Sequence, residues 1–279
     1  MTVGIAAACC TDTANPKIVI AADRMVTSGR VTKIEYEHTE TKLRTVLNDD
    51  INTIMAVASG DTSLSDDFFH KLDEKLEDMD PFGSEQIIQE AVSAFQDMST
   101  EAINRQVLGG FDMTVSELQT DEVNLDPETV QALVADVVEK RDEIVNGLTV
   151  MFGAIDAQGT HLTSIIRGDV ARHDSIGYHA IGSGGQPARS SFIRSQYDTS
   201  CNIETALLSA VEAKRQSEAA QGVGNKMDIA VVSREGCHDL AQDEIDEVVD
   251  LYDEIVDEEK TARENVIEEV DYRYIHNEN

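Results

Sequence analysis

The residue with the most chemistry within reach is Thr2, a hydroxyl one position behind Met1. A threonine hydroxyl attacks a carbonyl only after a base has taken its proton. A free α-amine, with a pKa near ~8, is such a base at neutral pH. Thr2 gains that amine if Met1 is removed, which a small second residue ordinarily permits. Asp23 and Arg24 follow as an acid–base pair at the end of the apolar run 18–22. Gly182-Ser183-Gly184-Gly185, between a strand pattern and a helix pattern, could instead cradle a phosphate. It has neither the P-loop lysine nor the dinucleotide-binding glycine spacing. The four cysteines (Cys9, Cys10, Cys201, Cys237) lack CxxC spacing and the seven histidines lack HExxH. Free thiols and ordinary imidazoles are therefore expected, with no metal and no organic cofactor.

The elements that must position these groups read as follows. Residues 2–10 and 16–23 form a hairpin of apolar strands around a turn at 11–16, and strands at 42–46 and 51–59 come next. Asp61-Thr62-Ser63 can cap a helix to about Leu76, with Leu64, Phe68, Leu72 and Leu76 on one face. Ser84 can cap a second helix striped by Ile87, Ile88, Ala91, Val92 and Phe95. A less regular stretch, about 108–146, holds one helix capped at Asp126-Pro127, whose stripe is Val130, Leu133, Val134, Val137 and Val138. Strands at 148–155, 161–167 and 178–181 are followed by helices at 187–196 and 203–220, then a buried strand at 228–232. This order is expected of an α+β fold, a four-layer αββα sandwich. Residues 241–270 have a helical pattern with a narrow seam of Ile245, Val248, Val249, Tyr252, Ile255 and Val256.

Charge bounds the partners. Fifty-four acids against twenty-two bases give a net −32 over 279 residues, which argues against nucleic-acid binding because phosphates are repelled. Sixteen acids and three bases fall in 239–279, leaving a net −19 elsewhere, a spread that suits a salt-adapted, halophilic cytoplasm. No apolar run reaches the roughly 18 residues that span a bilayer, and no leader pattern is present, so a cytoplasmic protein without a membrane partner is expected.

Several fragments, in order, resemble the proteasome β subunits. They are Thr2 itself, Asp23-Arg24 with Val26-Thr27-Ser28-Gly29, Thr41-Lys42-Leu43, Ala58-Ser59-Gly60-Asp61, Ala180-Ile181-Gly182-Ser183-Gly184-Gly185, and Ala213-Lys214-Arg215 leading to Asp228-Ile229-Ala230-Val231. The resemblance implies an N-terminal-nucleophile (Ntn) threonine peptidase or amidohydrolase acting through an acyl-enzyme on Thr2. It assigns Lys42 as a charge favouring the deprotonated amine and the developing alkoxide. Asp23 becomes the lysine's partner, Gly60 an oxyanion donor, and Ser183 the group that orients the amine. Glu218 stands where the family has an aspartate. Thr27 lies on the edge that pairs with an extended peptide, and Ala58 at the floor of the specificity pocket. The resemblance also implies a peptide or unfolded-protein substrate, a homo-oligomeric ring and an ATPase unfoldase as partner.

Two registers are open. Aligned on Val3-Gly4-Ile5, the family's nucleophile falls before Met1 and the subunit is an inactive scaffold. Aligned on the terminus, as in bacterial homologues that begin Met-Thr, the nucleophile is Thr2. A peptide ligase, passing the acyl group to an amine, is a third outcome. The expected organisation is a β-subunit-like domain over 1–238 with an insertion at about 108–146, and an acidic helical extension over 239–279.

Overall fold

Alternation along the first two strands decides the architecture. In β1 (Val3–Cys9) the side chains of Val3, Ile5, Ala7 and Cys9 enter one apolar cluster, while Ala6 and Ala8 enter another. In β2 (Lys17–Asp23), Val19 and Ala21 join the first cluster and Ile18, Ile20 and Ala22 the second. Successive side chains of a strand point to opposite faces, so strands buried on both faces must lie between two further layers. The computed structural model has this stack, the four-layer arrangement expected from the order of elements. It describes residues 2–28, 34–37, 41–49, 51–77, 79, 83–118, 120 and 125–269.

The remaining strands are β3 (Met25–Ser28), β4 (Ile34–Glu37), β5 (Leu43–Asn48), β6 (Thr53–Gly60), β7 (Leu148–Asp156), β8 (Gly159–Ile166), β9 (Asp169–Arg172), β10 (Tyr178–Gly182), β11 (Met227–Ser233) and β12 (Gly236–Asp239). The helices are α1 (Thr62–Leu76), α2 (Ser84–Ile103), α3 (Val115–Leu118), α4 (Pro127–Gly147), α5 (Gly185–Arg194), α6 (Ile203–Ser217) and α7 (Gln242–Glu269). One sheet has the order β10-β1-β2-β11-β12 and the other β5-β6-β7-β8-β9. All their pairings are antiparallel. Ala6, Ile18, Ile20, Met55, Val57, Met151 and Leu162 fill the space between the sheets. Helices α1, α2 and α4 cover the second sheet around Phe68, Phe95 and Phe152, and α5, α6 and the start of α7 cover the first around Phe192, Val211 and Ile245. Each such fully buried side chain contributes about 1.5–3 kcal/mol, and Phe152→Ala would cost about 3–5 kcal/mol through the cavity it leaves.

Local chemistry sets the ends of the helices. Asp61 caps α1 by accepting from the Ser63 and Leu64 N–H groups, and Asp126 caps α4 in the same way. Ser84 does not cap α2. It is the first helical residue, and its hydroxyl donates to Asp156 at 2.7 Å, so a carboxylate from β7 sits at that helix start.

The stretch expected to be irregular is mostly helical. A π-helical turn (Asn104–Leu108) extends α2 and buries Leu108, and α4 packs Leu133 and Ile144 into the core. Val134 and Val138, expected on the inner face of α4, are exposed instead. The line of contact runs through Leu133, Val137 and Ile144, narrower than the apolar stripe. The α7 seam divides likewise. Ile245 is buried and Val248, Val249 and Tyr252 are half-buried against the domain, whereas Ile255 and Val256 are exposed. Residues 270–279 of the expected extension lie outside the described residues. Among the described residues no helix is long and apolar enough to cross a membrane.

Candidate active site

Thr2 stands just before β1, at the corner of the first sheet, and is almost wholly buried. Val3 pairs with Gly182 on one side and Gly4 with Ala22 on the other, so the registers of β10 and β2 fix what surrounds Thr2. Asp23 ends β2 with no exposed surface. Its Oδ1 accepts from the Thr2 hydroxyl and, at 3.0 Å, from the Val3 N–H. Its Oδ2 accepts from the Met25 N–H at 3.2 Å and the Gly224 N–H at 3.0 Å. Three backbone donors make this burial of a carboxylate tolerable.

Lys42, just before β5, reaches across from the second sheet. Its Nζ contacts the Thr2 Oγ1 and the Met25 carbonyl, and lies 2.9 Å from Asp23 Oδ1. Burial pulls the ammonium's pKa down, and the charge and hydrogen bond of Asp23 oppose that shift. One hydroxyl thus meets a cation and an anion brought by separate elements.

Glycine admits the backbone to this corner at Gly182 and lets the end of β6 close on the start of β7 at Gly60. Gly182 has φ +85°, and a Cβ there would come within 2.2 Å of the Thr2 carbonyl oxygen and 2.6 Å of Ser59 Oγ. Gly60, at the end of β6, has φ +129°, and a Cβ would meet the Gly147 carbonyl at 2.0 Å. Both positions exclude any side chain.

The candidates read from sequence are placed unequally. Thr2, Asp23 and Lys42 converge on one point. Ser183 Oγ lies 3.3 Å from both the Thr2 and Gln221 carbonyls, so its proton goes to one of these oxygens. Gly60 and Ala58 lie on β6, next to and flanking Ser59. Thr27 is in β3 opposite Glu35, and among the described residues β3 pairs with β4 alone. The side chain of Thr27 lies outside what is described. Glu218 sits at the end of α6, where it accepts from Lys214 Nζ at 2.5 Å and lies 3.6 Å from Arg215.

Sequence reasoning missed Lys214 and Gly224. Lys214 has no exposed surface. A signal for it existed, since Ile203, Leu207, Ala210, Lys214 and Ser217 share one face of α6 and that face is the buried one. Gly224 carried no signal, because a backbone N–H looks alike in every residue.

No protein-family model and no curated protein matches the sequence. Solved structures do. The Gly-1 mutant of Anbu from Hyphomicrobium sp. strain MC1 superposes with a TM-score of 0.64 at 12% identity, covering 95% of this chain and 97% of that one. Anbu, an ancestral beta-subunit, from Yersinia bercovieri gives 0.64 at 13% identity over 93% and 97%. The helical assembly of the Anbu complex from Pseudomonas aeruginosa gives 0.62 at 13% identity over 97% of each chain. The fold is therefore the proteasome-like, Ntn-type αββα sandwich. At this identity the likeness extends to the fold alone.

Proposed function

We propose that the chain is an N-terminal-nucleophile threonine hydrolase that cleaves peptide or amide bonds after Met1 is removed. The observation that carries this reading is the meeting of the Thr2 hydroxyl with Lys42 and Asp23 in a buried corner. The terminus-aligned register is the one in which these residues serve as nucleophile and electrostatic partners.

In the proposed reaction the freed α-amine of Thr2 takes the Oγ1 proton as the oxygen attacks the carbonyl carbon. Lys42 stabilises the developing negative charge on the attacking oxygen, and Asp23 keeps the ammonium charged and in place. The backbone N–H of Gly60 faces the tetrahedral oxyanion, a contribution of about 3 kcal/mol for such a donor. The C–N bond breaks as the amine's proton passes to the leaving nitrogen, leaving an ester on Thr2. Water, deprotonated by the same amine, then releases the acid and restores the hydroxyl. Ser183 holds the Thr2 main chain, an extended peptide lies along β3 near Thr27, and Ala58 leaves room for its side chain.

The neighbour described as a helical assembly supports a further part of the reading, that this chain forms a homo-oligomer. The decisive experiment is intact mass before and after incubation with a β-lactone or an epoxyketone. The expected result is loss of Met1 and one covalent adduct, absent in Thr2→Ala. Retained Met1, or an adduct that survives Thr2→Ala, would end the proposal.

A further inference from the structure

Among the described residues only two formally charged side chains have no exposed surface, Asp23 and Lys214. The first belongs to the proposed reaction and the second does not. Burying an ammonium costs several kcal/mol unless its donors are matched, so a lysine that survives there has specific partners. Lys214 Nζ donates to Glu218 Oε1 and to the Asn225 carbonyl, each at 2.5 Å. These two acceptors bracket the turn that joins α6 to β11. Lys214 is thus a crossbar from the last turn of the helix to the far end of that connection.

The turn itself touches the site twice. The Gly224 N–H donates to Asp23 Oδ2 at 3.0 Å, and the Gln221 carbonyl is an acceptor for Ser183 Oγ at 3.3 Å. It also backs the glycine loop, since a Cβ on Gly184 would lie 2.9 Å from Ser217 Cβ and 3.0 Å from a Val223 methyl. The main-chain bonds of the turn run from the Glu218 N–H to Arg215 at 3.2 Å, the Ala220 N–H to Ser217 at 2.9 Å and the Val223 N–H to Ala220 at 3.3 Å. None reaches Gly224 or Asn225, and just beyond them Glu37 accepts from the Lys226 N–H at 3.3 Å.

We infer that Lys214 is a positioning residue for the site, acting through residues 218–225 to hold the Gly224 N–H on Asp23 and the Gln221 carbonyl beside Ser183. The functional half of this inference rests on the proposed hydrolase reading; the geometric half does not. Asp23 then receives support at both oxygens, directly from Lys42 at Oδ1 and through the Lys214-tethered turn at Oδ2. Glu218 is the counter-ion of this device and need not approach Thr2. Burial lowers the pKa of Lys214, while the hydrogen bond and charge of Glu218, and more distantly Asp23, raise it. An apolar residue of equal volume would fill the same space but leave the Asn225 carbonyl without this donor and Glu218 with Arg215 alone.

The test uses the full chain and three variants, Lys214→Met, Lys214→Gln and, as a control, Thr2→Ala. Amide exchange of residues 218–226 is followed by mass spectrometry, and the rate of β-lactone adduct formation is followed on the same samples. In Lys214→Met, exchange of the turn should accelerate about tenfold or more while the β1 and β2 amides stay protected. Adduct formation should slow by about ten- to a hundredfold, as small misplacements at reacting groups do. Lys214→Gln, which can still donate to Asn225, should recover most of both. Thr2→Ala should leave the turn unchanged. Unchanged exchange and adduct rate in Lys214→Met would overturn the inference. So would acceleration spread evenly over α6 and both sheets, the mark of a merely structural lysine. If the wild type forms no adduct but Lys214→Met still frees the turn, the hydrolase reading fails and the coupling of Lys214 to Asp23 stands.

Discussion

Asp23 Oδ1 and Lys42 Nζ lie 2.9 Å apart, with the carboxylate fully enclosed and the ammonium side chain 17% exposed. Asp23 ends β2 and Lys42 immediately precedes β5, so this ion pair joins the two sheets. Lys42→Met would leave Asp23 with its three backbone donors, and the fold should survive. Adduct formation at Thr2 should fall by about 10²–10³, the usual loss when a group facing developing charge is removed. A rate within twofold of wild type would show that Lys42 has no part in the reaction.

Gly182→Ala tests how tightly the glycine loop holds Thr2. The new methyl would meet the Thr2 carbonyl and Ser59 Oγ in a backbone conformation that alanine rarely adopts. We expect a loss of about 2 kcal/mol or more, read as a melting temperature lower by roughly 4–8 °C, together with loss of adduct formation. An alanine variant that melts and reacts like wild type would mean that the corner is looser than its geometry.

His173 and His179 stack at 3.5 Å, and Ser164 Oγ bonds His173 Nε2 at 2.8 Å. Burial lowers both pKa values, His179 to about 3, with mutual repulsion and Arg189 adding to the effect on His179 and Asp174 opposing it on His173. A lowered histidine pKa means that the unfolded chain binds the proton first. Stability is therefore complete above about pH 6.5 and drains away as pH falls toward 3. His179→Phe keeps a ring in the stack and should flatten the melting-temperature curve between pH 6.5 and 4. Burial would raise Asp156, but hydrogen bonds from Ser84, Gln158 and His161 prevail and hold it at about 2. Its own loss comes mainly below pH 4, under most of that range. An unchanged slope would remove the imidazole pair as the cause.

The net −32 makes a claim about salt. Screening shortens from ~30 Å at 0.01 M to ~3 Å at 1 M, so repulsion among surface acids should vanish across that range. Melting temperature should rise steeply with potassium chloride. A flat profile would leave the composition without a halophilic meaning.

Assembly is tested at α7. Removing the chain after Leu240 would strip Ile245 from the core, so the informative truncation ends at Glu254 and keeps the buried half of the seam. This shorter protein should keep its melting temperature within a few degrees and lose oligomer mass in light scattering. An unchanged oligomer would assign Ile255 and Val256 to a plain surface.

The layered fold was legible from the order of its elements (strand pairs, two helices, strands, two helices and a last strand), and the burial of β1 and β2 on both faces agrees with it. Short strands were not. β9 has the burial of a surface ribbon, and β12 pairs at a sheet edge with only Gly236 buried, so neither carries a period-two signal. Thr2, Asp23 and Lys42 could be named together through the resemblance to β subunits, whose motifs are carried by side chains. The supports at Gly224, Gln221 and Met25 are backbone groups whose placement depends on turn geometry. Glu218 illustrates a second limit. A lysine four residues earlier on the same helix takes its carboxylate, an (i, i+4) pairing that sequence position alone does not weigh against a longer reach.

The pairing order of the first sheet has a consequence for how the protein is made. β1 is made before the other strands of its sheet, yet it lies between β2 and β10, and β2 in turn waits for β11. Until residues 178–182 and 227–233 have emerged, both strands lack a neighbour, and Asp23 lacks the Gly224 amide. Contacts spanning some two hundred residues form late, after the loop between them has been closed. A growing chain therefore carries Thr2 without the surroundings that the proposed reaction needs until β10 and β11 have been made. The topology delays assembly of this corner until nearly the whole sandwich has been translated.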